Sequence, residues 1–476
     1  MSRVAQSTIQ VLDESALTRR YWLFLSVVML TAIIELFDVF IISYLVSVIA
    51  PKWSLTIGQV SLVLAAAGIG AIVGALSNGW LADRFGRKGV LISNTALFSI
   101  ASGCVALLPN GAWLLFAFLR FAVGFGVAGL TASGIPLIVE FTPTRYRTSV
   151  TSFAFSLGPI GILIASAAAA TLLPSIGWRG LAALGAIPLL LVPIMVTVVP
   201  ESVRWLVSRG KSERAVRSLS SMFGRQSVHV GTEINKSAVA SPVGGYRKLY
   251  RYQKPFWLVT TVWFFATTAS YGPILWGPII LSQLRHIDPQ QAAKSFVLVS
   301  IAGIIGRLLF SVFPAKIGRV RAGQVMGYGS AAFLLCAGIF HAITFAGTPA
   351  FLVFLAIAAI FYDGGFANAF PQASEMFPVS LASRGVALAQ AASGVGRIAA
   401  PACLAIIAGS GKLVTSKTIE LAVLPGFTFL AACGAVVGLM YTLLPLETNG
   451  RRLKLSDDDR TDELPEYPIV AAAREG

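Results

Sequence analysis

Twelve apolar runs set the terms for this chain. They lie near residues 21–49, 59–82, 89–108, 112–140, 148–173, 178–199, 256–281, 295–314, 322–345, 349–377, 385–408 and 420–444. At 1.5 Å per residue, about 20 apolar residues in helical form cross the hydrocarbon core of a bilayer. The runs therefore predict an all-α membrane protein with twelve spans. Several spans contain Gly and Pro, which membrane helices tolerate because neighbouring helices re-satisfy the backbone. The longest polar stretch, residues 200–255, separates spans 6 and 7.

Composition agrees: of 476 residues, 56% are hydrophobic and 12% charged, against about 25% charged in soluble domains. Asp13, Glu14, Arg19 and Arg20 precede a first run too long for a signal peptide, so that run is read as span 1. The net charge of +16 is compatible with nucleic-acid binding by number alone, but its distribution points elsewhere. Lys52, Arg179, Arg285, Lys294, Lys412 and Lys417 fall on one side, and Arg120, Arg307 and Arg397 fall within spans. Every other Lys and Arg falls on the opposite side. The positive-inside rule then places both termini in the cytoplasm, in a cell inner or plasma membrane. The basic face meets anionic lipid, with no nucleic-acid partner.

Cys104, Cys336, Cys403 and Cys433 lie in apolar runs without paired spacing, which predicts neither disulfides nor metal ligands. His229, His286 and His341 share no spacing. No Ser/His/Asp set or phosphate-binding glycine loop is present, so the expectation is no enzyme, no metal and no cofactor.

The chain is internally repeated. "GWLADRFGRKG" after span 2 matches "SVFPAKIGRVR" after span 8, aligning Gly86-Arg87 with Gly318-Arg319. Pro136, Glu140 and Pro143 at the end of span 4 match Pro371, Glu375 and Pro378 at the end of span 10. "VPESVRWL" after span 6 matches "PLETNGRRL" after span 12. Three matched pairs in the same order predict two six-helix halves, with a site at their interface. The expected division is residues 1–20 cytoplasmic, 21–199 first half, 200–255 linker, 256–444 second half and 445–476 cytoplasmic tail. The tail carries "SDDDRTDELPE" and reads as solvated.

These features resemble the major facilitator superfamily over spans 1–12. Gly79-x-x-x-Asp83-Arg84-x-Gly86-Arg87-Lys88 matches its loop 2–3 signature in full. "PESVRWLVSRGKSERA" and "PLETNGRRL" are similar to the span ends of sugar-porter-like members, and "RFAVGFGVA" to a span 4 motif of proton-driven members. Span 7 lacks the Gln-Leu-Ser type stretch of sugar porters, and span 4 lacks the Asp-Tyr-Pro of phosphate symporters. "ELFDVFIISYLVSVIAP" instead resembles the span 1 signature Asp-Gly-x-Asp of aromatic-acid and metabolite:proton symporters. Glu35 replaces the first Asp and Leu36 the Gly.

Glu35 and Asp38 lie in the middle of span 1, where each charge costs about 2.5–3.5 kcal/mol on insertion scales. Being three apart, they share a helix face. Asp38 lies roughly 11 residues, about 16 Å, from the outer end of its span; Arg120 lies roughly 8 residues, about 12 Å, from that of span 4. Spans 1 and 4 line the central cavity in the superfamily, so the resemblance implies Asp38 as proton acceptor and Arg120 as its partner. Paired, Asp38 stays ionised; released and desolvated, it prefers its proton. A static ion pair is the alternative. Glu35 is either a second proton site or a hydrogen-bonding group.

Asp363 and Arg397 stand near mid-span in spans 10 and 11, as a structural pair or as substrate contacts. Arg120, Tyr271, Trp263 and Asn368 join them as substrate-binding candidates. Trp263, Tyr271 and Trp276 form an aromatic wall or interface anchors. Arg307, nearer the inner end of span 8, snorkels, pairs locally or meets substrate. At the basic face, Gly79, Asp83, Arg84, Gly86 and Arg87 form an expected gate, with Gly79 allowing close helix approach and Asp83 meeting a helix N-terminus or Arg147. Glu140 and Glu375 are expected to pair with basic groups there, Arg147 and Arg384 being the next in sequence. The reading is a monomeric secondary transporter working by alternating access, taking up a small organic anion with protons. The alternatives are a proton antiporter exporting drugs or metabolites, and a transporter-like sensor.

Overall fold

The computed structural model describes residues 17–143, 146, 150, 153, 157–223, 246–345, 347–378 and 381–448. Arg147 and the acidic tail lie outside them. Spans 1–4 are α1 (Arg19–Lys52), α2 (Ile57–Phe85), α3 (Arg87–Cys104) and α4 (Trp113–Phe141). α5 (Gly158–Ala183) continues through a 3-10 turn, Leu184–Leu190, into α6 (Leu191–Val198). Short helices α7 (Val203–Ser208) and α8 (Ser212–Phe223) follow. The second half comprises α9 (Gln253–Arg285), α10 (Pro289–Ile317), α11 (Arg319–Ile339), α12 (Ala350–Tyr362), α13 (Phe366–Glu375), α14 (Ala382–Ala408) and α15 (Ser416–Leu443).

Eleven continuous segments among the described residues are long and apolar enough to cross a membrane. One, Gly158–Val198, is 41 residues long and holds two expected spans. Its direction breaks at Gly177, whose φ of 65° lies outside the helical region. Span 10 also differs from the expected single helix. Asp363, Gly364 and Gly365 interrupt it, dividing α12 from α13. Twelve passes in two matched six-helix halves result.

The repeat positions the ends of these helices. Gly86 (φ 97°) and Gly318 (φ 87°) turn the chain into α3 and α11 at equivalent positions, in a backbone region that side chains disfavour. α2 starts with a capping box: Thr56 Oγ1 accepts from Gln59 N, and Gln59 Oε1 accepts from Thr56 N.

The halves join at the face opposite Arg87 and Arg319, here called the far face. Ile57 N donates to Lys412 O (2.8 Å), Gly58 N to Ser410 O (2.9 Å) and Val414 N to Leu55 O (3.3 Å). Thr56 and Leu413 form an isolated antiparallel bridge. Deeper in, Ser61 donates to Pro401 O (2.6 Å) and Ser166 meets Ser300 (3.3 Å). A single apolar core runs through both halves at this end, including Ile49, Val60, Phe116, Leu275, Phe351 and Phe427.

Candidate transport site

α1 carries Asp38 to the protein interior, where it is fully buried. Arg120 on α4 is 2% exposed and places Nη1 2.8 Å from Asp38 Oδ2. Ser102 on α3 donates its hydroxyl to Asp38 Oδ1. The carboxylate therefore has a charged partner on one oxygen and a neutral donor on the other. A buried pair of this kind holds its charge only while both partners stay in place.

Arg120 also lines a small, narrow central cavity between the halves. Arg397 on α14 lines the same cavity, with its guanidinium carbon 5.2 Å from the centre of the Tyr271 ring on α9. Tyr271 packs against Phe40 of α1, ring centres 5.3 Å apart. Among the described residues no carboxylate lies within ion-pair distance of Arg397, and its buried Nε has no protein partner. The field of Arg397 reaches Glu35 without a direct bond between them. The cavity thus presents one neutralised guanidinium, one guanidinium with no carboxylate at ion-pair distance among the described residues, and an aromatic face.

Of the two readings of Asp363 and Arg397, the mutual structural pair is not formed. Asp363 Oδ1 instead accepts from Arg307 Nη2 at 3.0 Å, joining the break in span 10 to α10. Arg307 lies 5.7 Å from the Phe366 ring centre. Two other substrate candidates stand away from the cavity. Trp263 is buried against Phe366 and Phe370, with centres at 5.5 and 6.1 Å. Asn368 Nδ2 donates to Arg319 O (3.0 Å) and steadies the start of α11. Trp276 is buried in the apolar core.

At the basic face the two halves carry matching clamps. Glu140 Oε2 takes Arg87 Nη1 (3.0 Å) and the Ser202 hydroxyl (2.7 Å), and its Oε1 takes Arg204 N (2.7 Å). Glu375 Oε1 takes Arg319 Nη2 (2.6 Å), and its Oε2 takes the Thr448 hydroxyl (2.7 Å). Among the described residues the arginine partners of the two glutamates are Arg87 and Arg319, and Arg384 is not among them. A second glutamate completes each clamp. Glu201 accepts from Lys88 N (3.1 Å), and Glu447 accepts from Arg319 N (3.0 Å) and Val320 N (3.1 Å). A carboxylate at a helix N-terminus meets both the unpaired N–H groups and the positive end of the dipole. Arg384 Nα donates to Leu381 O (3.0 Å) at the start of α14.

Gly79 has open space around it, so it does not mediate close helix approach. Asp83 engages through its main-chain carbonyl, which takes Trp205 Nε1 (2.9 Å) and Arg209 Nη2 (3.1 Å). Arg84 packs over Trp80 and Phe85 at 5.3 and 5.7 Å.

Sequence reasoning missed Ser102, Glu201, Glu447 and Phe40. The matched span ends "PES" and "LET" each contain the second clamp acid, which is a usable signal. Nothing in "IASGC" marks Ser102 out from other hydroxyls in apolar runs.

Comparison with known proteins agrees with this architecture. The chain is 26% identical over 371 residues to a niacin transporter of Acinetobacter baylyi, covering 76% of this chain and 82% of the relative. It is 26% identical over 401 residues to a 4-hydroxybenzoate transporter of the same species, covering 82% and 85%. The inward-open structure of the xylose transporter of E. coli superimposes with a TM-score of 0.68 at 20% identity. That superposition covers 90% of this chain and 98% of the other, and it establishes the fold. The family model described as Major Facilitator Superfamily matches residues 28–401, and the chain is a member of that superfamily, a membrane transporter and not an enzyme.

Proposed function

We propose that the protein is a proton-coupled symporter of a small organic anion, of the carboxylic-acid class that its niacin and 4-hydroxybenzoate relatives carry. The observation that carries this reading is Arg397, which lines the cavity beside Tyr271 with no carboxylate at ion-pair distance among the described residues. A guanidinium in such a setting binds a carboxylate bidentately, which a lysine does not reproduce. Asp38, held by Arg120 and Ser102, supplies the proton site. Substrate drawn to the cavity loosens the Asp38–Arg120 pair, Asp38 takes a proton, and the neutral, loaded state changes face. Glu35 adds a second ionisable group within reach of the field of Arg397.

The charge distribution supports cytoplasmic termini in an inner or plasma membrane, and the protein acts as a monomer. The far-face bonds between halves support a resting state that opens toward the basic face. Asp83 latches that face in the other state by meeting a helix N-terminus there.

The test is uptake into proteoliposomes under an imposed inward-acid gradient, using labelled aromatic and aliphatic carboxylates alongside organic cations. Gradient-driven carboxylate uptake is expected, weakened about tenfold or more in affinity by Arg397→Lys, since each charge-assisted hydrogen bond contributes about 1.5–3 kcal/mol. Uptake of cations alone, or acid-driven efflux of carboxylates, overturns the reading.

A further inference from the structure

The central cavity has two guanidinium walls, and they belong to different halves: Arg120 comes from α4 and Arg397 from α14. A guanidinium carries five N–H donors in a planar fork and accepts nothing. Among the described residues, Arg120 makes one hydrogen bond, to Asp38, and Arg397 makes none. The Nε of each is buried without a protein partner. Donors on a buried cation are costly to leave unmade, so the site favours whatever brings acceptors to both. Val39, Leu64, Val127 and Leu275 line the same cavity and supply its apolar surface.

We infer that the transported anion carries two acceptor groups separated by an apolar middle. One is a carboxylate that takes Arg397. The other is an oxygen or nitrogen acceptor, such as an ether or phenolic oxygen, a ring nitrogen or a second carboxylate, that takes the remaining donors of Arg120. This rests on the organic-anion reading above and narrows it. The chemistry excludes a pure donor at the second position, because Arg120 cannot accept. It also gives the second group a purpose. A ligand anchored at Arg397 alone engages only the second half. One that reaches Arg120 bridges both halves and competes with Asp38 for the same fork, which links loading to release of the proton-accepting carboxylate.

The experiment compares matched ligands that differ in one acceptor. Binding to the purified full-length protein is measured for 4-methoxybenzoate against 4-ethylbenzoate, and for hexanedioate against heptanoate. Within each pair the size is close, and only one member offers a second acceptor. The acceptor-bearing member of at least one pair is expected to bind about tenfold or more tightly. Arg120→Lys keeps a cation beside Asp38 and shortens the fork, so the ratio is expected to fall by severalfold. Arg397→Lys is expected to weaken both members alike and leave the ratio near its starting value. Equal affinities within both pairs, with carboxylates still bound, overturn the two-acceptor inference and leave the anion reading standing. An unchanged ratio in Arg120→Lys also overturns it, because the second acceptor is then read elsewhere. Failure of every carboxylate to bind overturns both.

Discussion

Arg120 Nη1 lies 2.8 Å from Asp38 Oδ2, with both side chains sealed from solvent and Ser102 closing the other carboxylate oxygen. The pair joins α1 to α4 within one half, so it can open without separating the halves. Removing one partner strands a buried charge, at a cost of about 3–5 kcal/mol.

Asp38→Asn keeps an acceptor oxygen for Arg120 and turns an amide N–H toward the Ser102 oxygen, but cannot carry a proton. In proteoliposomes the variant is expected to lose accumulation driven by a pH gradient while retaining substrate exchange. Arg120→Ala, which strands the carboxylate, is expected to lower unfolding free energy by about 3–5 kcal/mol. Accumulation at wild-type levels in Asp38→Asn would remove Asp38 from the proton pathway.

Arg307 and Asp363 make a second intramembrane pair, at 3.0 Å, and it pins the break between α12 and α13 to α10. Their side chains are 18% and 9% exposed, so solvent screens the pair more than Asp38–Arg120. Arg307→Ala and Asp363→Ala are each expected to lower thermal stability, and the double variant to recover most of it. Arg397→Ala is not expected to rescue Asp363→Ala. Melting curves of the four proteins decide the matter, and rescue by Arg397→Ala would show that the two groups are coupled after all.

How much of this was legible follows from what an apolar helix does and does not encode. Depth can be counted from a span end, and that count pairs Asp38 with Arg120. Rotation about the helix axis cannot be counted. Apolar residues surround α4 and α10 on all sides, so no periodic stripe shows which face meets which neighbour. Depth alone set Asp363 beside Arg397, while the chain interruption at Asp363-Gly364-Gly365 and the facing of α10 gave it Arg307. The repeat conveyed that Glu140 and Glu375 are equivalent. Their true partners, Arg87 and Arg319, are distant in sequence and equivalent in the repeat, a correspondence that was visible at Gly86-Arg87 and Gly318-Arg319.

The clamps at the basic face provide a third prediction. Glu447 accepts two main-chain N–H groups at the start of α11, and Glu201 accepts Lys88 N at the start of α3. Glu447→Ala is expected to speed amide exchange at Arg319 and Val320 by roughly tenfold, in line with about 1–1.5 kcal/mol per hydrogen bond. Far-face amides at Ile57 and Gly58 are expected to keep their rates. Equal acceleration at both faces would show global loosening instead of a local clamp.

The seal at the far face is made by main chain. The first N–H groups of a helix have no partner within it. At the start of α2 those of Ile57 and Gly58 are satisfied by Lys412 O and Ser410 O of the other half. Gly58 permits this approach, because a Cβ there would stand 3.0 Å from Ser410 O and 3.2 Å from Ser410 Cβ. Alanine is tight at that spacing, and a branched side chain pushes the strands of the seal apart. Gly58→Val is therefore expected to fold, since the residue is helical, yet to close the far face poorly. Leu64, buried beneath the seal and lining the cavity, is the reporter. With Leu64→Cys as the labelling site, an impermeant maleimide applied at the far face should react severalfold faster in Gly58→Val, and exchange should slow because every cycle must close that face. Gly58→Ala should fall between the two. Labelling and exchange that match the Gly58 parent would mean that the seal is held by the side-chain contacts below it, at Ser61 with Pro401 and Ser166 with Ser300, and not by the backbone of α2.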